Sequence, residues 1–408
     1  MTSLCDCTAS KMSQISKNEV LGNASNIVTV LSQGSDPYIS EDARVEALRS
    51  ANLVIRALEK PEDGLINFAY SPTTLMAIRV CSQLNVFDMI TKSETISAAE
   101  IANTAGADEI LIRRFLRVLT AHGFVEEKGD GLYGPNRWTV HINSRLAQGM
   151  LKFIYDMSMP PIAQSPNWFK ETGYQNPGDP LHGQFQAANQ TDLPTFKWLT
   201  IPENKDTWDN ANTFFEGDRG SRPSWLTWFP AKEKFFPEGH DQETPLLVDV
   251  AGGRGHDLLE FIAKYPDEPG SFVLQDQQPV LDSALPLPAK VVKQSFDLFQ
   301  DSPVKDARIY FMKFILHDYG DEQCIQILNN VKASMIKGYS YLVIHDFILP
   351  DTKCGLLQSQ WDLMMMVLLS SMERTESQWR TLLESAGLSI EGMYSPPGDG
   401  QGIIVVTL

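Results

Sequence analysis

Three residues in the C-terminal half have the types and spacing for proton transfer at a bound ligand: His317, Asp346 and Glu373. His317 falls three residues past the apolar run Ala307-Arg-Ile-Tyr-Phe-Met-Lys-Phe314, which reads as a buried strand. Ligands of an open parallel sheet sit beyond the carboxyl ends of its strands, so this ring is expected at the mouth of a site. A neutral imidazole with a pKa of about 6.5 suits the removal of a phenolic or alcohol proton near pH 7. Asp346 ends the next strand, Tyr341-Leu-Val-Ile-His-Asp346, and Glu373 follows a helix carrying Met364, Met365 and Met366. A carboxylate bonded to one ring nitrogen fixes the tautomer and leaves the other nitrogen to accept a proton. The bland alternatives are a helix cap or surface acid for Asp346 and an ion pair with Arg374 for Glu373. Their joint occurrence beside His317 favours chemistry. Asp318 is expected to serve the local turn or helix start, and Lys313 to pair with a ligand carboxylate.

A second constellation supplies the ligand. The apolar run Leu246–Val250 carries Asp249, breaks into Ala251-Gly252-Gly253-Arg254-Gly255, and gives way to helical spacing at Leu258, Leu259 and Ile262. A strand, a glycine turn and a helix N-terminus form a crevice where backbone approaches a ligand closely. Asp276 ends the next strand, Ser271-Phe-Val-Leu-Gln-Asp276, at the spacing of about 20 residues that suits a carboxylate to ribose hydroxyls. No Lys-Ser or Lys-Thr follows the glycines, which excludes a triphosphate loop, and the clustered glycines depart from the spaced dinucleotide fingerprint. A nucleoside without a pyrophosphate, such as S-adenosylmethionine (SAM), suits this form better. An ordinary strand-to-helix turn without a ligand is the alternative.

The elements that must position these residues divide the 408-residue chain. Residues 1–40 are polar and aperiodic and read as a disordered tail. A helix is expected over Glu41–Leu58, a break at Pro61–Gly64, and a new helix opening at Ser71-Pro72. Ser97 and Glu100 form a capping box, and a helix from Glu109 to His122 turns Ile110, Ile112, Phe115, Leu116 and Leu119 inward. Phe124–Tyr133 reads as a hairpin around Lys128-Gly-Asp-Gly131. Helix, helix and hairpin make a winged-helix module over residues 41–145, expected to dimerise or cap a substrate. Residues 146–240 form a helical capping segment rich in aromatics and Met. Most of these are core, but Phe153, Met157, Trp198 and Phe214, with Met365 and Met366, suit the wall of a pocket for a flat apolar substrate. Residues 241–408 alternate strand and helix, an α/β doubly wound Rossmann-like sheet with strands near 246–250, 271–276, 307–314, 340–346 and 402–408. The last strand is placed to close the sheet in antiparallel sense.

Composition narrows the partners. Lys plus Arg number 34 against 51 Asp plus Glu, a formal charge of −17 that repels phosphate backbones. The expected partner is a small molecule, with no nucleic acid. Cys5, Cys7, Cys81, Cys324 and Cys354 show no paired metal spacing, so no metal site and reduced, cytoplasmic thiols are expected. No apolar run reaches 18 residues, so no membrane span is expected.

These motifs resemble the class I SAM-dependent O-methyltransferases of the plant caffeate/flavonoid type, in their fungal secondary-metabolite branch. The resemblance covers roughly residues 45–408. It implies that Gly252, Gly253 and Gly255 line the SAM site, with Asp276 on the ribose, Asp297 (in Phe296-Asp-Leu-Phe299) on the adenine side and Lys313 on the SAM carboxylate. It also implies His317 as catalytic base, Asp346 and Glu373 as flanking acids, and a homodimer with N-terminal helices swapped across the interface. Asn176-Pro-Gly-Asp179, Phe196-Lys-Trp-Leu199 and Arg222-Pro-Ser-Trp225 look like the fungal branch. Ala251 replaces the first glycine, Asp346 is one methylene shorter than the usual Glu, and Tyr319 stands where Trp is commonest. The expected reaction is O-methylation of an aromatic or polyketide-derived hydroxyl. The competing expectation is a SAM-binding pericyclase or dehydratase on the same scaffold, with no methyl transfer. A non-catalytic regulator would need a basic face on the winged helix, and none is found.

Overall fold

The computed structural model describes residues 16–33, 38–221, 224–236, 244–268, 270–396 and 398–408. Cys5 and Cys7 lie outside them. The tail expected over residues 1–40 contains a helix, Lys17–Leu31, which buries none of its residues and packs along the helix Glu41–Leu58. Polar bonds tie the pair: the Asn26 amide donates to Glu46 Oε1 and Ser50 Oγ, both at 2.9 Å.

The break expected at Pro61–Gly64 is instead a helix start, with Pro61 in the first turn of a helix running through to Gln83. Pro at this position sacrifices no intrahelical bond. Pro72 lies inside the helix, where it has no N–H for the carbonyl of Phe68. The hydroxyl of Ser71 donates to that carbonyl instead, at 2.8 Å. Ser71 therefore repairs a helix rather than opening one. The Ser97–Glu100 capping box is present, and the helix Glu109–Ala121 buries Ile112, Leu116 and Leu119. Ile110 faces outward, 69% exposed. Strands β1 (Ile96–Ser97), β2 (Glu126–Gly129) and β3 (Leu132–Gly134) form the wing in the order β1-β3-β2.

The C-terminal part is built on seven strands: β4 (Pro245–Val250), β5 (Ser271–Asp276), β6 (Val291–Ser295), β7 (Ile309–Lys313), β8 (Tyr341–Asp346), β9 (Ser389–Tyr394) and β10 (Gly402–Thr407). They lie in the order β6-β5-β4-β7-β8-β10-β9. The first five are parallel, and β10 runs antiparallel to both β8 and β9. Alternation gives the central strands two buried faces: Tyr310 and Met312 of β7 pack with Leu328 and Trp379, while Ile309 and Phe311 pack with Trp225 and Phe261. The last strand is antiparallel as expected, but β9 rather than β10 forms the edge. The chain order reverses at β4, so β5 and β7 flank it and a crevice opens at their carboxyl ends. Among the described residues no helix is long and apolar enough to cross a membrane.

Candidate active site

At the end of β4 the chain turns through Ala251 (φ 55°), Gly252, Gly253 (φ 62°) and Gly255 (φ 85°) into the helix His256–Lys264. A methyl group on Gly252 would lie 2.3 Å from Cγ of Asp249, so only glycine fits there. Ala251 holds a left-handed conformation at a cost of roughly 1 kcal/mol. The Gly253 N–H donates to Asp276 Oδ2 at 2.8 Å, and the Gln277 N–H donates to Asp276 Oδ1 at 2.7 Å. Asp297 is fixed from the other side, its Oδ1 accepting from the Phe299 N–H at 2.8 Å. A cavity of about 250 Å³ runs between these acids, lined by Ala251, Asp276, Phe296, Asp297, Asp318 and Tyr319 among others. A nucleoside fits it chemically: Asp276 offers carboxylate oxygens to a diol, and Phe296 with Leu298 and Phe299 gives apolar walls to a base. Lys313 ends β7 next to this crevice. Its Nζ lies 2.8 Å from Asp257 Oδ1 in a nearly buried ion pair, so the chain itself supplies the partner expected from a ligand carboxylate.

The acid–base group sits beside that cavity. After Lys313, Phe314 takes a left-handed φ of 54°, and the 3-10 turn Leu316–Asp318 carries His317 back under the strand ends. A bulky residue in that region is strained, and such strain clusters at functional sites. The Phe314 ring stacks on the imidazole with centroids 5.1 Å apart. His317 Nδ1 lies 2.6 Å from Glu373 Oε1, and Nε2 lies 3.3 Å from Asp318 Oδ1. Asp346 is fully buried, and neither of its oxygens has a hydrogen-bond partner among the described residues. It charges the imidazole's surroundings from the end of β8 without bonding the ring.

Burial opposes charge on His317, but Glu373, Asp318 and Asp346 together outweigh it and push the ring up to about 10. Burial pushes the Asp318 carboxyl up to about 7 and Asp346 up to about 8, with His317 pulling each the other way.

Three neighbours of the candidate site escaped the sequence reading. Asp318 does not serve a turn or helix start: it faces the imidazole and the cavity. Its adjacency to His317 was visible, but only the 3-10 turn puts both side chains on one side. Arg374 does not pair with Glu373. Its guanidinium, 1% exposed, donates to the carbonyls of Leu316 (2.8 Å) and Tyr319 (2.9 Å) on either side of the His317–Asp318 pair, and to Asp321. Asp362 accepts the backbone N–H of Glu373 at 2.9 Å and so fixes the segment that orients the ring.

Phe153, Met157, Trp198 and Phe214 pack in one apolar cluster with Phe185 and Leu368, and Phe196 and Leu369 of that cluster line the cavity. The helix Leu356–Leu369 contributes Met364 to the cluster; Met365 and Met366, expected on this wall, are half-buried outside it. On a helix, Met364 and Leu368 share a face that Met366 cannot. Trp361, one turn before Met364, stacks on Phe314 (6.1 Å, 9°) and touches Phe214 (6.0 Å). An aromatic wall thus runs from the capping segment to His317.

Comparison with known proteins gives matching descriptions. A family model for the O-methyltransferase dimerisation domain matches residues 67–144, and one for the O-methyltransferase domain matches residues 240–389. The O-methyltransferase penC of Penicillium thymicola is 33% identical over 364 residues, covering 89% of this chain and 90% of that protein. Among solved structures, "A Pericyclic Reaction enzyme" aligns with a TM-score of 0.84 at 26% identity, covering 96% of this chain and 99% of that one. "The structure of LepI complex with SAM" aligns with a TM-score of 0.84 at 26% identity, covering 96% and 100%.

Proposed function

The chain belongs to the O-methyltransferase family, and on that premise we propose that it methylates a hydroxyl of an aromatic or polyketide-derived small molecule, with His317 as general base. Its cofactor is SAM, which when bound supplies an electrophilic methyl group on a sulfonium. Asp276 and Asp297 hold the nucleoside, the glycines admit it, and the Lys313–Asp257 pair borders the site. The match to a dimerisation domain supports assembly as a homodimer. Residues 41–145 serve that assembly, 146–240 cap the acceptor, and 241–408 carry the chemistry.

The bond from His317 Nδ1 to Glu373 Oε1 carries this reading, because it occupies one ring nitrogen and leaves Nε2 beside Asp318, which lines the cavity. The acceptor O–H gives its proton to Nε2. Bound SAM would supply the methyl group to that oxygen, the pair of its carbon–sulfur bond staying on sulfur in S-adenosylhomocysteine. Glu373 and Asp318 hold the imidazolium that keeps the proton. Arg374 and Asp362 keep the ring and its carboxylate in place, and the apolar cluster excludes water. General-base catalysis of this kind contributes about 10²–10⁴-fold. The test is turnover of a panel of bicyclic phenols: His317→Gln should abolish formation of S-adenosylhomocysteine while SAM still binds.

A second reading draws on the charge state. A ring pushed up to about 10 is a proton donor at neutral pH. A donor beside a bound sulfonium would polarise a carbonyl or leaving group, as a dehydratase or pericyclase requires. The likeness to "A Pericyclic Reaction enzyme" supports it. Turnover without consumption of SAM would select it.

A further inference from the structure

Three neutral polar groups are buried around the apolar cluster without a hydrogen-bond partner among the described residues. They are both amide atoms of Gln184, the hydroxyl of Ser158 and the indole N–H of Trp361. Gln184 is 1% exposed and Ser158 fully buried. Leaving such a group unsatisfied costs about 1–3 kcal/mol, and native chains rarely do so without a reason.

The three lie on elements that meet at the same apolar cluster. Ser158 ends the π-helix Ile154–Ser158, whose Met157 packs in the same cluster as Phe185, the residue after Gln184. The helix Leu356–Leu369, which carries Trp361, contacts both that π-helix and the helix Gln184–Asn189. π-helical turns of this kind occur often at functional sites. From Trp361 the stack through Phe314 leads to His317.

Gln184 is held in place rather than trapped by chance. A methyl group on Gly183 would lie 2.2 Å from Ser370 Oγ, so the helix is docked closely against the end of its neighbour. Gln186 Nε2 donates to the Leu193 carbonyl at 3.1 Å, and Thr195 Oγ1 to the Leu368 carbonyl at 2.5 Å. These contacts fix the backbone from which the Gln184 side chain projects, and that side chain is 1% exposed.

We propose that Gln184, Ser158 and Trp361 form the polar subsite that orients the acceptor. The subsite takes a neutral ring system bearing a hydrogen-bond donor beside a carbonyl, as a cyclic amide does. A primary amide presents a donor and an acceptor side by side and so matches such an edge by two parallel bonds. Trp361 adds a donor for a further oxygen, and Ser158 serves either role. No charged group lies among the three, so the subsite discriminates by hydrogen-bond pattern. The inference rests on the reading of this cluster as the acceptor chamber.

The full chain, saturated with S-adenosylhomocysteine, is titrated calorimetrically with isoquinolin-1(2H)-one and with its N-methyl derivative, which lacks the donor. The native protein should prefer the N–H compound by about tenfold, the scale of one unpaired buried partner. Gln184→Met should bind both equally, with unchanged S-adenosylhomocysteine affinity and an unchanged or higher Tm, because an unsatisfied amide has been removed. Trp361→Phe, which keeps the stack and removes a donor that neither one-oxygen probe engages, should leave both affinities and the preference unchanged. The proposal is overturned if the native protein binds neither compound or does not distinguish them. It is equally overturned if Gln184→Met keeps the preference while losing Tm, which marks the amide as structural. A preserved preference without methyl transfer to any acceptor sinks the proposed reaction alone; methyl transfer without the preference sinks the subsite alone.

Discussion

Glu373 Oε1 lies 2.6 Å from Nδ1 of His317, with both side chains buried beneath the strand ends. This contact sets the sign of a pH dependence. A base must be neutral, and the ring is pushed up to about 10, so the rate of methyl transfer should rise with pH from 7 toward that value. Glu373→Gln removes a carboxylate that raises the ring, so the rising limb should move to lower pH while the maximal rate falls about 10²–10⁴-fold. A rate that falls as pH rises through the same range would mark the ring as an acid and favour the second reading. Steady-state profiles of both proteins decide this.

Arg374 acts through the backbone of the loop. Its bonds to the Leu316 and Tyr319 carbonyls fix the turn that presents His317 and Asp318. Arg374→Lys cannot reproduce a planar fork across two carbonyls. Turnover should fall roughly 10–100-fold, the scale of a misplaced reacting group, with SAM affinity unchanged. Calorimetry of SAM binding beside single-turnover kinetics separates these effects.

Asp346 trades stability for charge. Its folded carboxyl is raised from 3.8 to about 8 by burial, so its stabilising contribution is complete below 3.8 and is lost as pH rises toward 8. Asp346→Asn removes that loss. The variant should gain on the native protein across this window, by about 1–3 kcal/mol at the alkaline end, while turnover drops. Thermal melts at pH 4, 6 and 8, values on the order of the window's limits, should show the gap in Tm widening with pH.

The helix Pro61–Gln83 exposes Leu65 (70%) and Phe68 (72%) on one face, with Ile66 and Tyr70 also at the surface. A contiguous apolar surface of this kind marks an interface. The double substitution Leu65→Glu, Phe68→Glu should convert the dimer to a monomer in sedimentation velocity experiments.

The sheet and the placement of its candidate site residues were legible because apolar strands announce themselves, and Asp276, His317 and Asp346 each close or follow such a run. What escaped lacks that pattern. Strand β6 is an exposed edge of Val-Val-Lys-Gln-Ser, and β9 is interrupted by Glu391 and Gly392. The helix Lys17–Leu31 buries nothing within the chain, so no apolar stripe announces it. Pro72 reads as a helix start because a mid-helix proline costs about 3 kcal/mol; the Ser71 bond that offsets this is not visible in the sequence. Asp318, Asp362 and Arg374 owe their places to backbone bonds and a tight turn, which no spacing rule records.

The account turns on whether His317 removes a proton while the methyl group leaves SAM. The most direct measurement follows SAM labelled with carbon-13 in its methyl group through turnover by the native protein and His317→Gln, quantifying product and S-adenosylhomocysteine together. The account predicts one labelled O-methyl group per S-adenosylhomocysteine formed, and loss of both by at least about 10²-fold in the variant with SAM binding intact. Product formed with the label still in SAM, or an undiminished rate in the variant, would contradict it.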